Sequence, residues 1–127
     1  MSCVNIYIPI RPKPAPRPRV TRNGTYNPKE YTDYKRDIAI IAKTKVKLTS
    51  KPVSMHLDFF FKFPKSWSKK KIEDTKFHVV RPDLDNLQKG VKDALNGIAY
   101  KDDSQVWSIQ ARKQYSDKDG ISIRLIC

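Results

Sequence analysis

The sequence predicts an α+β fold: one small domain of order β-α-β-(short α)-α-β-β, a mixed sheet packed against two main helices. Three observations carry this expectation. Apolar residues alternate with period two in four separate stretches. Between the second and third of these stretches, and between the first and second, apolar residues recur instead at three and four. A chain of 127 residues, 39% hydrophobic and 31% charged, is long enough for one packed core, and it shows neither an internal repeat nor a domain linker.

Val4, Ile6, Ile8 and Ile10 alternate as a first strand, which Pro9 ends early or confines to a sheet edge. Residues 11–22 follow as a basic arm within the domain. Proline stands at every second position from 12 to 18, removing donors and fixing φ, so the segment is extended and not helical. Its five cations, Arg11, Lys13, Arg17, Arg19 and Arg22, suit a stiff arm lying along phosphates; a solvated basic loop or a proline-rich ligand for another protein is the plainer alternative.

Asn27, Pro28 and Glu30 read as a cap, a first helical residue and a capping-box acid. Tyr31, Tyr34, Ile38, Ile41 and Ala42 then mark a helix over about 28–46, with both tyrosines expected in the core. Val53, Met55, Leu57, Phe59, Phe61 and Phe63 form the cleanest strand, His56 lying on its mixed face. Ser66-Trp-Ser68 starts a short basic helix whose Lys69, Lys70 and Lys71 touch phosphate or simply face water. His78 has no second His or Cys nearby and is not assigned as a ligand.

Leu87, Val91, Ala94 and Leu95 define a second main helix from Asp83 or Leu84, ended by Asn96-Gly97 with Gly97 left-handed. Asp102-Asp103-Ser104 is a polar turn. Val106 to Tyr115 is a strand with Trp107, Ile109, Ala111 and Tyr115 on one side. A turn at Asp117-Lys-Asp-Gly120 leads to Ile121, Ile123, Leu125 and Cys127, closing a final hairpin.

The net charge of +13 and a pI near 9.9 favour a polyanionic partner, most simply nucleic acid. The longest helical apolar run, Ile38 to Ala42, is far too short to cross a membrane, and the start shows no secretory signal. Cys3 and Cys127 form no metal-type spacing and are expected as reduced thiols of a cytoplasmic protein.

Acids are distributed unevenly. Residues 1–80 carry 18 Lys/Arg against 6 Asp/Glu, whereas 81–127 carry 8 against 7, and Asp83, Asp85, Asp93, Asp102 and Asp103 fall within 21 residues. An acidic cluster in so basic a chain opposes its own attraction for polyanions, a conflict that divalent cations held beside phosphates resolve, as in nucleases. Mg²⁺ takes one or two carboxylates plus water and phosphate oxygens. At a helix start Asp83 and Asp85 can converge, and Asp102 or Asp103 can complete the set where the chain returns. Lys89, four residues after Asp85, shares its helix face and can hold the scissile phosphate. Alternatively, Asp83 caps the helix and Asp85 complements its dipole, leaving a nucleic-acid-binding module without chemistry.

The stretch Arg81-Pro-Asp-Leu-Asp-Asn-Leu-Gln-Lys-Gly-Val-Lys-Asp-Ala-Leu, followed by Asp102-Asp-Ser-Gln-Val106, resembles the RusA family of Holliday-junction resolvases. The strong match spans residues 81–106; a weaker one covers the whole chain. The resemblance implies a dimeric, Mg²⁺-dependent endonuclease of phages and prophages that cuts four-way DNA junctions with paired symmetric nicks, leaving 5′-phosphate and 3′-hydroxyl ends. Carried over by position, the catalytic and metal-binding acids are Asp83, Asp85 and Asp103, with Asp102 secondary. Lys89 is the motif lysine and Asn86 a supporting residue. Arg81 and Lys89 join the arm and the lysines of 69–71 as DNA contacts. Mn²⁺ is expected to replace Mg²⁺, with no small-molecule cofactor. A nuclease for other branched DNA or for RNA remains the main competitor.

Overall fold

The central place of the long apolar strand over Val53–Lys62 in the sheet follows from its composition. The computed structural model of the chain describes residues 2–16, 19–21, 24–26 and 28–127, the two short middle stretches by their backbone alone. Its strands are β1 (Cys3–Ile8), β2 (Arg19–Thr21), β3 (Gly24–Tyr26), β4 (Val53–Lys62), β5 (Val106–Ser116) and β6 (Gly120–Ile126). Its helices are α1 (Lys29–Lys43), α2 (Lys69–Asp74) and α3 (Leu84–Leu95), with a 3-10 turn at Asp103–Gln105. The main sheet has the order β1-β6-β4-β5. Val53, Met55, Leu57, Phe59 and Phe61 of β4 are all buried, each side chain removing roughly 1.5–3 kcal/mol of apolar surface from water. A strand this apolar is most stable with a neighbour on both sides.

That placement corrects the expected final hairpin. β5 runs parallel to β4 and β6 antiparallel to it, so β4 separates the two strands. The turn between them arches over the end of β4: Phe63 N donates to Ser116 O at 3.2 Å, and Lys62 N to the Asp119 carboxylate at 2.8 Å. The parallel β4–β5 pair needs a long crossover, which α2 and α3 supply. β1 ends at Ile8 and lies at the sheet edge, as Pro9 requires.

Other departures are local. β2, at the end of the expected arm, and β3, just beyond it, pair antiparallel, an element that the expected order lacks. α1 stops at Lys43 instead of about 46; the Thr44 hydroxyl donates back to Ile41 O, and the backbone turns out of the helix. Pro28 stands at the cap of α1 without a side-chain cap bond, and the expected cap Asn27 lies outside the described residues. Trp107 is 72% exposed and does not share the inward side of β5. The ladder shifts there, Val53 pairing with Val106 and Ser54 with Ser108, so Trp107 is the extra residue of a bulge.

α1 and α3 cover one face of the sheet. Tyr31, Tyr34, Ile38 and Ala42 meet Leu87, Val91, Ala94 and Leu95 over β4 and β6 in one apolar cluster. Burial pushes the Tyr34 hydroxyl up to about 12. Gly97 ends α3 in the left-handed region at φ 82°, as its place after Asn96 predicts. No helix among the described residues is long and apolar enough to cross a membrane.

Candidate active site

Two clefts are lined by residues of α3 and of the loop before it. The wider, about 800 Å³, lies between the arm, the start of α1 and the loop before α3; Arg11, Lys13, Tyr31, Arg81, Asp83 and Asn86 are among its lining residues. The narrower, about 270 Å³, is lined by Asp85, Gln88, Lys89, Lys92, Asp93 and Asp103, together with Ile109.

The arm reaches this place for a definable reason. Alternate prolines leave alternate N–H donors, and one of them, Ala15 N, donates to Asn86 O on α3 at 3.0 Å. Pro12 and Ala15 are buried there. Gly90 of α3 packs here, within van der Waals reach of Lys13 O and the Tyr34 ring.

The loop that carries Asp83 is held from below. Lys113 lies on β5 at an inward position, and its ammonium donates to Val80 O and Pro82 O, both at 2.8 Å. Sequence reading passed over this lysine, although a cation in phase with Ile109, Ala111 and Tyr115 was the available signal. His78, in the same loop, is buried and stacked on Phe61 at 4.0 Å between ring centres. Burial, then the nearby Lys113 charge, holds its imidazole below the usual range, so it is neutral near pH 7.

Asp83 occupies the N-cap of α3, with φ −73° and ψ 146°, yet its side chain makes no cap hydrogen bond. Asp85, in the first turn and exposed, accepts from Asn86 N at 2.9 Å through one oxygen. Asp102 behaves differently. Its carboxylate accepts from Ser104 N at 3.1 Å, while Gln105 returns a bond to Asp102 N, a full capping box around the 3-10 turn. The bonds from Ser104 hold the Asp102 carboxyl below its ordinary range. Gln105 also donates to Thr49 O and Lys51 O, both at 3.0 Å, tying the turn to the chain before β4. Asp102 is thereby used in the turn, and Asp103 is left lining the cleft with Asp85 and Lys89.

Asp93 belongs to the acidic cluster, but the sequence alone assigns it no role. It accepts from Lys89 Nζ at 3.1 Å and from the Tyr31 hydroxyl at 3.2 Å. Its i,i+4 spacing to Lys89 was the readable sign. Tyr31 is buried as expected, but its hydroxyl faces this site; burial first, and Asp93 next, push that hydroxyl above its ordinary range.

Of the DNA-contact candidates, Arg11, Lys13 and Arg81 are exposed around the wide cleft, Arg11 pairing with Asp119 at 3.3 Å and lying over the Phe61 ring. Lys69, Lys70 and Lys71 are exposed on α2, capped by Ser68, and line neither cleft. Arg17 and Arg22 lie outside the described residues, and Arg19 is described only by its place in β2.

Carboxylate oxygens are hard donors and fit a hard divalent cation. Among the described residues no three His, Cys, Asp or Glu side chains are grouped so as to hold a metal ion. Asp85 and Asp103 line one open cleft and Asp83 lines the other, a donor set suited only to an ion that takes few protein ligands and completes its shell with phosphate and water.

A sequence-family model for the endodeoxyribonuclease RusA matches residues 9–126. The chain is also similar to uncharacterized protein YqaN of Bacillus subtilis (strain 168), with 36% identity over 137 residues, covering 98% of this chain and 96% of that protein.

Proposed function

Because the chain belongs to the RusA family of endodeoxyribonucleases, which resolve Holliday junctions, we propose that it is a Mg²⁺-dependent homodimer that resolves four-way DNA junctions by paired symmetric nicks. The observation that carries this reading is the cleft lined by Asp85, Asp103 and Lys89, while the uncapped Asp83 lines the wider cleft. Residues 18 positions apart in sequence share it, which chance capping does not require.

Asp83, Asp85 and Asp103 would hold the ion. When bound, Mg²⁺ or Mn²⁺ supplies an activated water and neutralises charge on the phosphate and the leaving oxygen. Lys89 is placed to bind a phosphate oxygen at the mouth of the cleft and to stabilise charge as it grows there. Arg11, Lys13 and Arg81 bind flanking phosphates along the wide cleft, positioning the strand without reading bases. Neither His56 nor His78 is required as a base. A junction has approximate two-fold symmetry, so two copies related by the same operator present two cleavage sites to strands of like polarity. The work is done on DNA in the cytoplasm of a bacterial or phage-infected cell, in recombination and repair.

The test is an end-labelled synthetic four-way junction incubated in Mg²⁺, with and without EDTA, beside Y-shaped and linear duplexes. Symmetric nicks in the junction, abolished by EDTA, are expected. Equal cutting of the Y-shaped or linear DNA assigns a broader nuclease. Tight binding with no cut in Mg²⁺ or Mn²⁺ overturns the enzymatic reading for the binding module.

A further inference from the structure

We propose that Asp93 is the positioning residue of this site, holding the Lys89 ammonium at the cleft with Tyr31 as its brace. The inference rests on the reading of Lys89 as the residue that meets the scissile phosphate. A lysine side chain has several rotatable bonds, and that of Lys89 is 60% exposed, so unrestrained it samples many rotamers. Asp93 removes that freedom. The same oxygen, Oδ2, accepts from Lys89 Nζ at 3.1 Å and from the Tyr31 hydroxyl at 3.2 Å.

The brace is rigid at its far end. Tyr31 is 5% exposed, and its ring is stacked with that of Tyr34 at 6.4 Å. Rigidity is therefore passed from the core between α1 and α3 through a phenol and a carboxylate to the ammonium. Helix stability does not explain the pair, because a lysine four residues before an acid is the weaker orientation on a helix. Asp93 also lines the cleft with Asp85 and Asp103, so Lys89 is held beside those acids and not away from them.

The experiment is a double-mutant cycle on single-turnover cleavage of the four-way junction in Mg²⁺. It uses wild type, Asp93→Asn, Lys89→Ala and the double variant, with junction affinity measured in EDTA. Asp93→Asn is expected to slow cleavage about tenfold in the wild-type background and not at all in the Lys89→Ala background. Junction affinity and the Mg²⁺ concentration giving half-maximal rate are expected to stay within twofold of wild type. Tyr31→Phe is expected to slow cleavage in the same direction by a smaller factor, about threefold. Equal slowing by Asp93→Asn in both backgrounds, or a raised Mg²⁺ requirement, overturns the proposal by making Asp93 an independent structural group or a ligand. If Lys89→Ala cuts at the wild-type rate, the role given to Lys89 fails instead, and the positioning role with it.

Discussion

Asp83 and Asp102 hold the same local station, the extended residue before the first turn of a helix, with ψ of 146° and 144°. Asp102 uses its carboxylate as that station invites, accepting from Ser104 N within a capping box. Asp83 makes no such bond, although α3 is twelve residues long and the Asp102 turn only three. A longer helix has more to gain from its macrodipole meeting a fixed acid, and an N-cap hydrogen bond typically adds about 1 kcal/mol. The acid at the helix with more to gain is the one withheld from its helix. A carboxylate that forgoes a local bond is available for a distant one, and Asp83 shares its cleft with Arg11, Lys13 and Arg81, the groups proposed to meet phosphate.

The comparison predicts a division of labour that substitution can break. The largest effect falls on the acids at the clefts: Asp85→Asn or Asp103→Asn is expected to cut the cleavage rate by on the order of a thousandfold. Junction binding should persist or tighten, since each change removes negative charge beside phosphate. Retention of near-normal cleavage by either variant would return these residues to a structural role. Next in size is salt. If about six phosphates are neutralised, doubling the salt concentration weakens junction binding about fortyfold, and a flat response in a gel-shift titration would remove the electrostatic basis of the wide cleft.

Lys113 tests whether the station of Asp83 is imposed from outside its helix. Lys113→Met deletes two charge-assisted bonds to the loop, at Val80 O and Pro82 O, so a loss of about 2 kcal/mol in urea unfolding is expected. Cleavage should fall about tenfold as the loop loosens. The same substitution leaving both measurements unchanged would show that α3 alone fixes Asp83.

How much of this was legible in the sequence depended on the range of the interactions involved. β1, β4, α1, α2 and α3 follow from apolar spacing and caps, which are local, and Gly97 announced its own conformation. The partner of β6 was not legible, because choosing β4 over β5 depends on which strand most needs two neighbours. The bulge at Trp107 arises from the β4–β5 register, a property of two strands, so strict alternation along β5 misread it. Within the site, the spacing of Asp83, Asp85, Asp103 and Lys89 was readable. That Asp102 and not Asp103 is the capping acid was not, since two adjacent acids look alike until the turn closes. Lys113 reaches Pro82 O across 31 residues and Tyr31 reaches Asp93 across 62, and although the inward phase of Lys113 marks it as unusual, no local pattern names either partner.

The smallest predicted effect concerns His78. Its imidazole is lowered by burial, so the unfolded chain takes up a proton at higher pH than the folded one does. Stability is therefore complete above the unfolded value of about 6.5 and is lost as pH falls below it toward the lower folded value. His78→Phe, which keeps an aromatic ring against Phe61, is expected to flatten that acid-side decline in thermal melts while leaving pH 7 stability close to wild type. An unchanged decline would place the pH sensitivity elsewhere.

The most direct test sets Asp83→Asn beside Asp102→Ala, each assayed for junction cleavage in Mg²⁺ and for thermal stability. Asp83→Asn should abolish cleavage and leave the melting temperature within about 1 °C of wild type, while Asp102→Ala should lower it by about 4 °C and keep cleavage within about threefold. The reverse pattern, with Asp83→Asn unstable yet active and Asp102→Ala stable yet inert, would contradict the account and move the site to the other acid.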